Sequence, residues 1–288
     1  MYQIDNYSDT ASEFLYALIW NIVKFRTVKI TGKYGIILYE VDIMVVKEYG
    51  KTNKDTIILL HGGGLSWWNY EEEAELLKDE YHIILPILDG HAGSDNDFIN
   101  IEDNADEIIK YIDDNYDGNV KLIGGLSLGG QILLDILSKR DNICEYAIIE
   151  SALVYPMKVT NKLITPSIKI SYSLISKKWF SKLQFKSLKI KESLFDKYYN
   201  DSSKISMKNM ITFLKSNSNY CKENLQNIKT KSLVFVGSKE RSIMIKSAKK
   251  IHNELVNSEL EILSGYYHGD LSINHAKEYV SKVKKLVK

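Results

Sequence analysis

The sequence predicts an α/β fold, a mostly parallel β-sheet flanked by helices, with a helical segment inserted between two of its strands. Short apolar runs alternate with helix-patterned segments through the first half of the 288-residue chain. That alternation is typical of parallel strands joined by helices. It stops at about residue 151 and resumes at about residue 229. The region between these two positions is therefore expected to be helical and irregular.

The elements of the first half follow from their hydrophobic patterns. Residues 36–39 and 44–46 are β-rich and are expected to form an antiparallel opening pair. Buried strands are expected at 56–60, 82–88, 120–123 and 146–150, and helices at 71–77, 105–116 and 130–139. The 105–116 segment carries its apolar residues on one helical face, as a core-facing helix requires.

The second half supplies the rest of the sheet. Strands are expected at 232–236 and 259–263, and helices at 242–254 and 274–286. We interpret the chain as four parts. These are an N-terminal helical extension (1–25), a first part of the core (26–151), a helical cap or lid (152–228) and a second part of the core (229–288).

The N-terminal residues predict a helix. Thr10 and Glu13 have the spacing of a capping box, and residues 11–23 are mostly apolar, so we expect a helix over 10–23 that docks on the body. The alternative is a peripheral membrane anchor. The segment has the apolar face that such an anchor needs, but it has no basic face. No segment is long enough to span a bilayer. The first ten residues carry two aspartates and no lysine, which does not fit a secretory signal.

Composition excludes several classes of protein. The formal net charge is +1 and 44% of the residues are hydrophobic, so nothing in the balance of charge indicates nucleic acid as a partner. The two cysteines, Cys144 and Cys221, form neither a disulfide framework nor a C-x-x-C motif. This cysteine usage fits the reducing cytoplasm. No H-E-x-x-H or similar cluster indicates a metal site.

The most informative stretch is Gly125-Leu126-Ser127-Leu128-Gly129. It follows a predicted strand and opens a predicted helix, so Ser127 lies at the apex of a sharp strand–helix turn. Glycines allow the strained backbone and the close packing of helix on strand. The first amides of the helix point at the same spot and can stabilise a developing negative charge. This pattern suits a nucleophilic serine.

Four further motifs surround this pentapeptide in the chain. A β-rich run ends in a glycine loop at 56–64, and an Asp-Gly-His-Ala-Gly-Ser segment lies within 83–95. Downstream, a strand-like run ends in Glu240 at 233–240, and His268 lies in Gly-Tyr-Tyr-His-Gly at 265–269. The order is glycine loop, serine, acid, histidine. With these five motifs in this order, the chain resembles the α/β-hydrolase superfamily over roughly residues 26–288.

The resemblance implies a catalytic triad. Ser127 is the expected nucleophile, and His268 is the expected general base because it lies on a loop after a strand. Glu240 is the expected third member, which orients the histidine and stabilises its charged form. An aspartate is commoner at that place in the superfamily, and Glu150 at the end of the preceding strand is the rival acid. His275 is the alternative base, although we expect it in the last helix.

The resemblance also implies an oxyanion hole made of two backbone amides. One is expected from Leu128, directly after the nucleophile. The other is expected from the glycine loop, at Gly63 or, failing that, Gly64. Trp67 and Trp68 follow the loop, where they would wall the pocket or pack in the core.

The remaining histidines are expected to be structural. His61 begins the glycine loop and is expected to hold it, and His91 is expected to shape a turn. His82 and His252 have no partner that the sequence reveals.

The predicted cap is strongly basic at its start. From residue 157 to residue 191 the chain has nine lysines and no acid. They would coat a solvent-facing surface that docks on the acidic stretch 66–117, or they would attract an anionic substrate or an anionic surface. Within the same segment an apolar stripe falls at helical spacing and is expected to face the pocket, the alternative being a membrane-binding face: Ile164, Ile168, Tyr172, Ile175, Trp179 and Leu183.

These observations predict a cytoplasmic serine hydrolase that cleaves an ester or related acyl bond of a small molecule. No cofactor is implied. Thioesters, lipid esters, lactones, amides and C–C bonds stay open, since one fold serves many chemistries. The alternatives are a non-catalytic small-molecule-binding protein of the same fold and a peripheral esterase of lipid surfaces. The sequence leaves the oligomeric state open.

Overall fold

The computed structural model describes residues 27–32, 35–40 and 44–288. The N-terminal helix expected at 10–23 lies outside the described residues. Strands β1 (Thr27–Gly32) and β2 (Gly35–Glu40) form an antiparallel pair. The expected pairing of 36–39 with 44–46 is wrong. Residues 27–32 also alternate polar and apolar types, as a strand does. Pairing of β2 with β1 needs a shorter connection than pairing of β2 with the strand that follows it.

Residues 44–288 are built around a seven-stranded sheet with the order β3-β5-β4-β6-β7-β8-β9. Strand β3 pairs antiparallel with β5, and the other pairs are parallel. The strands are β3 (Val46–Tyr49), β4 (Thr56–Leu60), β5 (His82–Pro86), β6 (Val120–Leu126), β7 (Cys144–Glu150), β8 (Lys231–Gly237) and β9 (Ser258–Leu263). The expected mostly parallel sheet is confirmed.

Ten α-helices occur in the described part of the chain. They are α1 (Glu71–Leu77), α2 (Ile101–Asn115), α3 (Leu128–Lys139), α4 (Lys158–Ile175), α5 (Lys178–Ser187), α6 (Phe195–Ser202), α7 (Met207–Asn219), α8 (Ser242–Glu254), α9 (Asp270–Asn274) and α10 (Ala276–Leu286). Within this part, none of the helices is long and apolar enough to cross a bilayer.

Helices cover both faces of the sheet because the central strands are apolar on both sides. In β4, Ile58 and Leu60 belong to the apolar core that also contains α2, α3 and α8. The alternate residues Ile57 and Leu59 belong to a second core, formed with α1 and α10. Every residue of β4 is buried. Burial on both faces explains why these strands read as continuous apolar runs.

Two helix boundaries differ from the expected ones. Helix α2 begins four residues earlier than expected, because the Asn100 side chain accepts the N–H of Asp103 at 2.7 Å and caps the polar first turn. The single helix expected at 274–286 is instead broken at His275, which has φ −127° and ψ 47°. His275 therefore lies between two helices rather than within one.

The segment between β7 and β8 contains helices α4 to α7. The expected apolar stripe does not run along one continuous face. Ile164, Ile168 and Tyr172 on α4 are half-buried, and Ile175 is buried. On α5, however, Trp179 is 61% exposed and Leu183 59%. The chain leaves the helix at residues 176–177, and this break ends the helical periodicity of the stripe.

The lysines of this segment have several different environments. Lys178 pairs with Asp196, and Lys182 pairs with Glu192. Lys191 pairs with Glu72, which lies on α1 in the acidic stretch. One lysine of the run thus docks on the body, as the first interpretation expected. The two cysteines are both free thiols, with Cys144 buried and Cys221 exposed.

Candidate active site

Ser127 occupies a strained turn between β6 and α3. Its backbone has φ 52° and ψ −107°, a combination that residues with a Cβ rarely adopt. The Ser127 N–H donates to the carbonyl of Glu150 at 2.8 Å. A Cβ on Gly129 would overlap the carbonyl of Leu60, and one on Gly125 would overlap the carbonyl of Gly129. Both glycines are therefore required for the helix to approach the strands this closely.

His268 and Glu240 are hydrogen-bonded to each other. Glu240 follows β8, and His268 lies in the turn after β9, so parallel strands bring both to the same edge of the sheet. His268 Nδ1 donates to Glu240 Oε2 at 2.7 Å. The His268 side chain is 47% exposed, whereas that of Glu240 is fully buried. Because Glu240 takes up Nδ1, His268 Nε2 remains for a second partner.

Two further hydrogen-bond donors keep Glu240 ionised. Its Oε1 accepts the hydroxyl of Ser151 at 2.7 Å and the N–H of Gly237 at 2.8 Å. Burial alone would raise the pKa of Glu240. The hydrogen bond and charge of His268, together with these two bonds, outweigh that effect and lower the pKa. Desolvation likewise opposes charge on His268, yet Glu240 overcomes it and raises the pKa of His268 above 6.5.

A cavity of about 450 Å³ joins these residues. Ser127, Glu240 and His268 all line it. Its apolar lining residues are Leu153, Met157, Leu188 and Met244, and its cationic lining residues are Lys189, Lys239 and Arg241. None of the half-buried stripe residues of α4 lines this cavity. Ser127 Oγ makes no hydrogen bond to another residue of 44–288, His268 included.

Two backbone amides near Ser127 have no partner within the described chain. In the glycine loop, Gly62 N–H donates to Asn69 Oδ1 at 3.3 Å, and Gly64 N–H donates to His91 Nε2 at 3.0 Å. The amide between them, on Gly63, has no acceptor among residues 44–288. Leu128 is the first residue of α3, so its N–H has no partner within the helix. This arrangement favours Gly63 over Gly64 as an oxyanion donor.

His61 and His91 hold the glycine loop as neutral side chains. His61 Nε2 accepts the N–H of Leu88 at 3.1 Å, so its Nδ1 carries the proton and donates to the Gly62 carbonyl at 2.9 Å. His91 similarly donates from Nδ1 to the Asp89 carbonyl at 3.0 Å. Burial lowers the pKa of His61 to about 3 and that of His91 to about 4. The expected structural role of His61 agrees with these contacts.

Glu150, the rival acid, does not contact His268. It is buried at the end of β7, and its Oε1 accepts the N–H of Ser272 at 3.4 Å. Burial raises the pKa of Glu150 to about 7. The charges of Glu240 and His268 also influence this pKa, in opposite directions, although Glu150 forms no hydrogen bond with either residue.

The other candidates lie away from the cavity lining. His275 packs on Tyr266, and its Nε2 is 3.6 Å from Asp270 Oδ1. His82 Nε2 lies 3.3 Å from Glu48, and His252 Nδ1 lies 2.9 Å from Ser258 Oγ. Trp68 is buried and donates from its indole to Asp201 at 2.8 Å, while Trp67 stacks under Lys47 and Lys197. Neither tryptophan lines the cavity.

Sequence reasoning missed the residues that complete the site. Ser151, with φ 52°, bridges Glu240 and the N–H of Gly269 beside His268. Lys189 and Arg241 enter the lining from different parts of the chain. A polar residue directly after β7 was a signal for Ser151. Nothing in the local pattern distinguishes Lys189 from its neighbouring lysines.

Comparisons with known proteins identify the family and the fold. A model of the family described as serine aminopeptidase S33 matches residues 51–272. No curated protein matches the sequence. Among solved structures, an esterase from Exiguobacterium antarcticum superposes with a TM-score of 0.73 at 18% identity, covering 90% of this chain and 98% of that one.

Two further structures give the same result. A thermophilic esterase from Thermogutta terrifontis has a TM-score of 0.68 at 16% identity, covering 92% of this chain and 100% of that one. A lipase-esterase related protein from Clostridium acetobutylicum has a TM-score of 0.69 at 22% identity, covering 84% and 99%. These likenesses confirm the α/β-hydrolase fold. The chain belongs to the serine aminopeptidase S33 family of α/β-hydrolases.

Proposed function

We propose that this hydrolase cleaves carboxylic esters through a Ser127–His268–Glu240 triad and an acyl-enzyme intermediate. The observation that carries the proposal is the convergence of these three residues. They follow three different strands, share one cavity and include a 2.7 Å hydrogen bond between His268 and Glu240. The esterases among the similar structures support the choice of an ester bond.

The proposed reaction begins when Ser127 Oγ attacks the ester carbonyl and His268 Nε2 takes its proton. The carbonyl oxygen becomes an oxyanion, which the amides of Gly63 and Leu128 stabilise. The intermediate collapses, the C–O bond breaks, and the alcohol leaves with the proton from His268. Water then attacks the acyl-enzyme and passes a proton to His268. The bond between the acyl carbon and Ser127 Oγ breaks, the acid leaves, and His268 returns the proton to Ser127 Oγ. Glu240 stabilises the imidazolium in both steps.

The charge of the lining disfavours aminopeptidase chemistry. An aminopeptidase substrate carries a free α-ammonium group, which needs an acid to bind it. Three cations line the cavity here, and its acidic lining residue, Glu240, is already bonded to His268. A cationic substrate would be repelled, whereas neutral and anionic esters would not.

We also propose that residues 152–228 act as a cap that sets specificity. This segment contributes Leu153, Met157 and Leu188 to the cavity wall, but none of the three proposed triad residues. It would therefore change which acyl group binds without supplying the chemistry.

The test is labelling with a fluorophosphonate, followed by mass spectrometry and a panel of p-nitrophenyl esters of increasing acyl length. We expect one labelled residue, Ser127, and a loss of up to about a million-fold in turnover for Ser127→Ala. Ser127→Gly fits the positive φ and controls for folding. Labelling at another serine would contradict the triad.

The panel also separates the alternatives. No labelling and no turnover, with specific binding of a small molecule, would indicate a binding protein. Turnover of aminoacyl p-nitroanilides in preference to esters would indicate a peptidase. Activity that appears only with liposomes would indicate a lipid-surface esterase.

A further inference from the structure

We propose that Lys189, Lys239 and Arg241 form an anion-binding subsite at the mouth of the cavity. The preferred ester would then carry a carboxylate or another oxyanion several bonds from the scissile carbonyl. The inference rests on the proposed function, since it names the substrate class of that same site.

The first argument is the charge of the cavity. All three cations line it together with Ser127 and His268. None of the three forms an ion pair with an acid among residues 44–288, and in this they resemble most lysines of the basic segment but differ from Lys178, Lys182 and Lys191. The negative lining residue, Glu240, is buried and bonded to His268. The mouth therefore carries an excess of positive charge that the described protein does not neutralise.

The second argument is the backbone of Lys189. It has φ 59°, a left-handed conformation that is unfavourable for a residue with a Cβ. Lys189 directly follows Leu188, the C-cap of α5, where a left-handed residue commonly ends a helix. Asn274 fixes the chain at this turn. Asn274 Nδ2 donates to the Lys189 carbonyl at 2.8 Å, and Asn274 Oδ1 accepts the N–H of Lys191 at 2.9 Å.

Asn274 also ties Lys189 to the catalytic histidine. It is the last residue of α9, the short helix that follows His268. Tyr267, next to His268, provides a second tie, because Lys189 Nζ lies 5.5 Å from the centre of its ring. A cation–π contact of this kind holds an ammonium group in place but leaves its N–H bonds free to donate. Lys189 is thus positioned relative to His268 by two contacts of different types.

Lys239 and Arg241 precede and follow the proposed triad acid in the chain, and both line the cavity. The Lys239 N–H donates to the Tyr266 carbonyl at 2.9 Å, which fixes its backbone. Arg241 immediately precedes α8, whose first turn contains no acid, so the helix dipole adds to the positive potential. The planar guanidinium can bind a carboxylate or phosphate through two parallel hydrogen bonds. Together with Lys189, these residues offer an oxyanion several donors.

The test compares esters that differ only in an anionic group. On the acyl side, p-nitrophenyl hydrogen adipate is matched with p-nitrophenyl hexanoate. On the alcohol side, 4-acetoxybenzoate is matched with 4-methylphenyl acetate. We expect kcat/KM to favour the anionic member of one pair by roughly 10-fold or more at low salt. The preferred pair identifies the side of the ester that carries the anion.

Variants then assign the preference to the three cations. We expect Lys189→Gln, Lys239→Gln and Arg241→Gln each to lower the anionic-to-neutral ratio several-fold. The matched control is Lys178→Gln, which removes the same charge from the same basic segment but at a residue paired outside the cavity. Lys189→Gly suits the positive φ, so its effect on the ratio is not caused by misfolding. Raising the salt to about 1 M should lower the wild-type ratio, since the Debye length falls to about 3 Å.

A wild-type ratio near one for both pairs, with neutral esters turned over, would overturn the subsite and leave the proposed function intact. An equal loss in Lys178→Gln would overturn it as well, because the effect would then be one of overall charge. No turnover of any of the four esters and no fluorophosphonate labelling of a folded protein would overturn the proposed function itself.

Discussion

The main-chain carbonyl of Glu150 accepts the N–H of Ser127 at 2.8 Å, while its side chain accepts the N–H of Ser272 at 3.4 Å. One buried residue thus anchors the turn that carries Ser127 and the short helix that follows His268. Its second carboxylate oxygen has no partner within the described residues. These contacts favour a positioning role for Glu150, in keeping with the proposal that Glu240 is the triad acid.

The two carboxylates are therefore expected to differ sharply on substitution. Glu240→Gln should lower kcat by roughly a thousand- to ten-thousand-fold, because the amide no longer stabilises the imidazolium. Glu150→Gln should lower it by less than about tenfold, because its amide oxygen can still accept from Ser272. Steady-state kinetics on a p-nitrophenyl ester measures both. The opposite ranking would assign the triad acid to Glu150.

Activity should rise with pH as His268 loses its proton. Glu240 raises the pKa of this histidine, so the midpoint of kcat/KM against pH should lie above 6.5. In Glu240→Gln the pKa of His268 should fall, because its charged partner is gone and desolvation remains. NMR titration of the His268 imidazole measures this shift without relying on activity. A wild-type midpoint below 6.5 would contradict the 2.7 Å pairing as the dominant influence.

Acid should destabilise the loop that His91 holds. The pKa of His91 is lowered by burial to about 4 in the folded state, against about 6.5 unfolded. Below pH 6.5 the unfolded chain therefore binds a proton that the folded chain does not, and the free energy of unfolding falls by up to about 1.4 kcal/mol per pH unit. His91→Gln keeps an acceptor for Gly64 and removes this titration.

The readout is the difference between the two proteins. Burial raises the pKa values of Glu150 and Glu73, so these two residues favour folding as the pH falls. The slope of the free energy of unfolding against pH in either protein alone therefore mixes opposite effects. Urea unfolding at several pH values should show that the free energy of unfolding of His91→Gln rises relative to that of wild type as the pH falls from 6.5 to about 4.5. A difference in the free energy of unfolding that does not change with pH would mean that His91 takes up its proton in the folded protein as readily as in the unfolded chain.

The residues of the cavity wall indicate where a larger side chain should limit acyl length. Met157 lines the cavity and Ile168 does not, although both belong to the segment before α5. Met157→Trp should lower kcat/KM for long acyl chains relative to acetate, because the larger side chain takes up cavity volume. Ile168→Trp is the matched control and should leave the chain-length profile unchanged. A changed profile in Ile168→Trp alone would place the acyl group against α4.

The sequence predicted the parts of the fold that depend on local pattern. Strands such as β4 are apolar on both faces, and the glycines around Ser127 fit one kind of turn, so these features could be identified before the structure. The apolar stripe shows where this reasoning fails. Helical spacing connected Ile175 to Trp179, but the chain turns between them and exposes Trp179.

By itself, the sequence determined the order of the elements, the sheet, the strained serine and the set of candidate acids and bases. Only the tertiary structure gives grounds for preferring Glu240 to Glu150, and Gly63 to Gly64, in the proposed site. Those choices depend on which donor meets which acceptor across strands far apart in the chain, as when His91 takes the Gly64 amide. The same holds for Lys189, whose position depends on Asn274, 85 residues away.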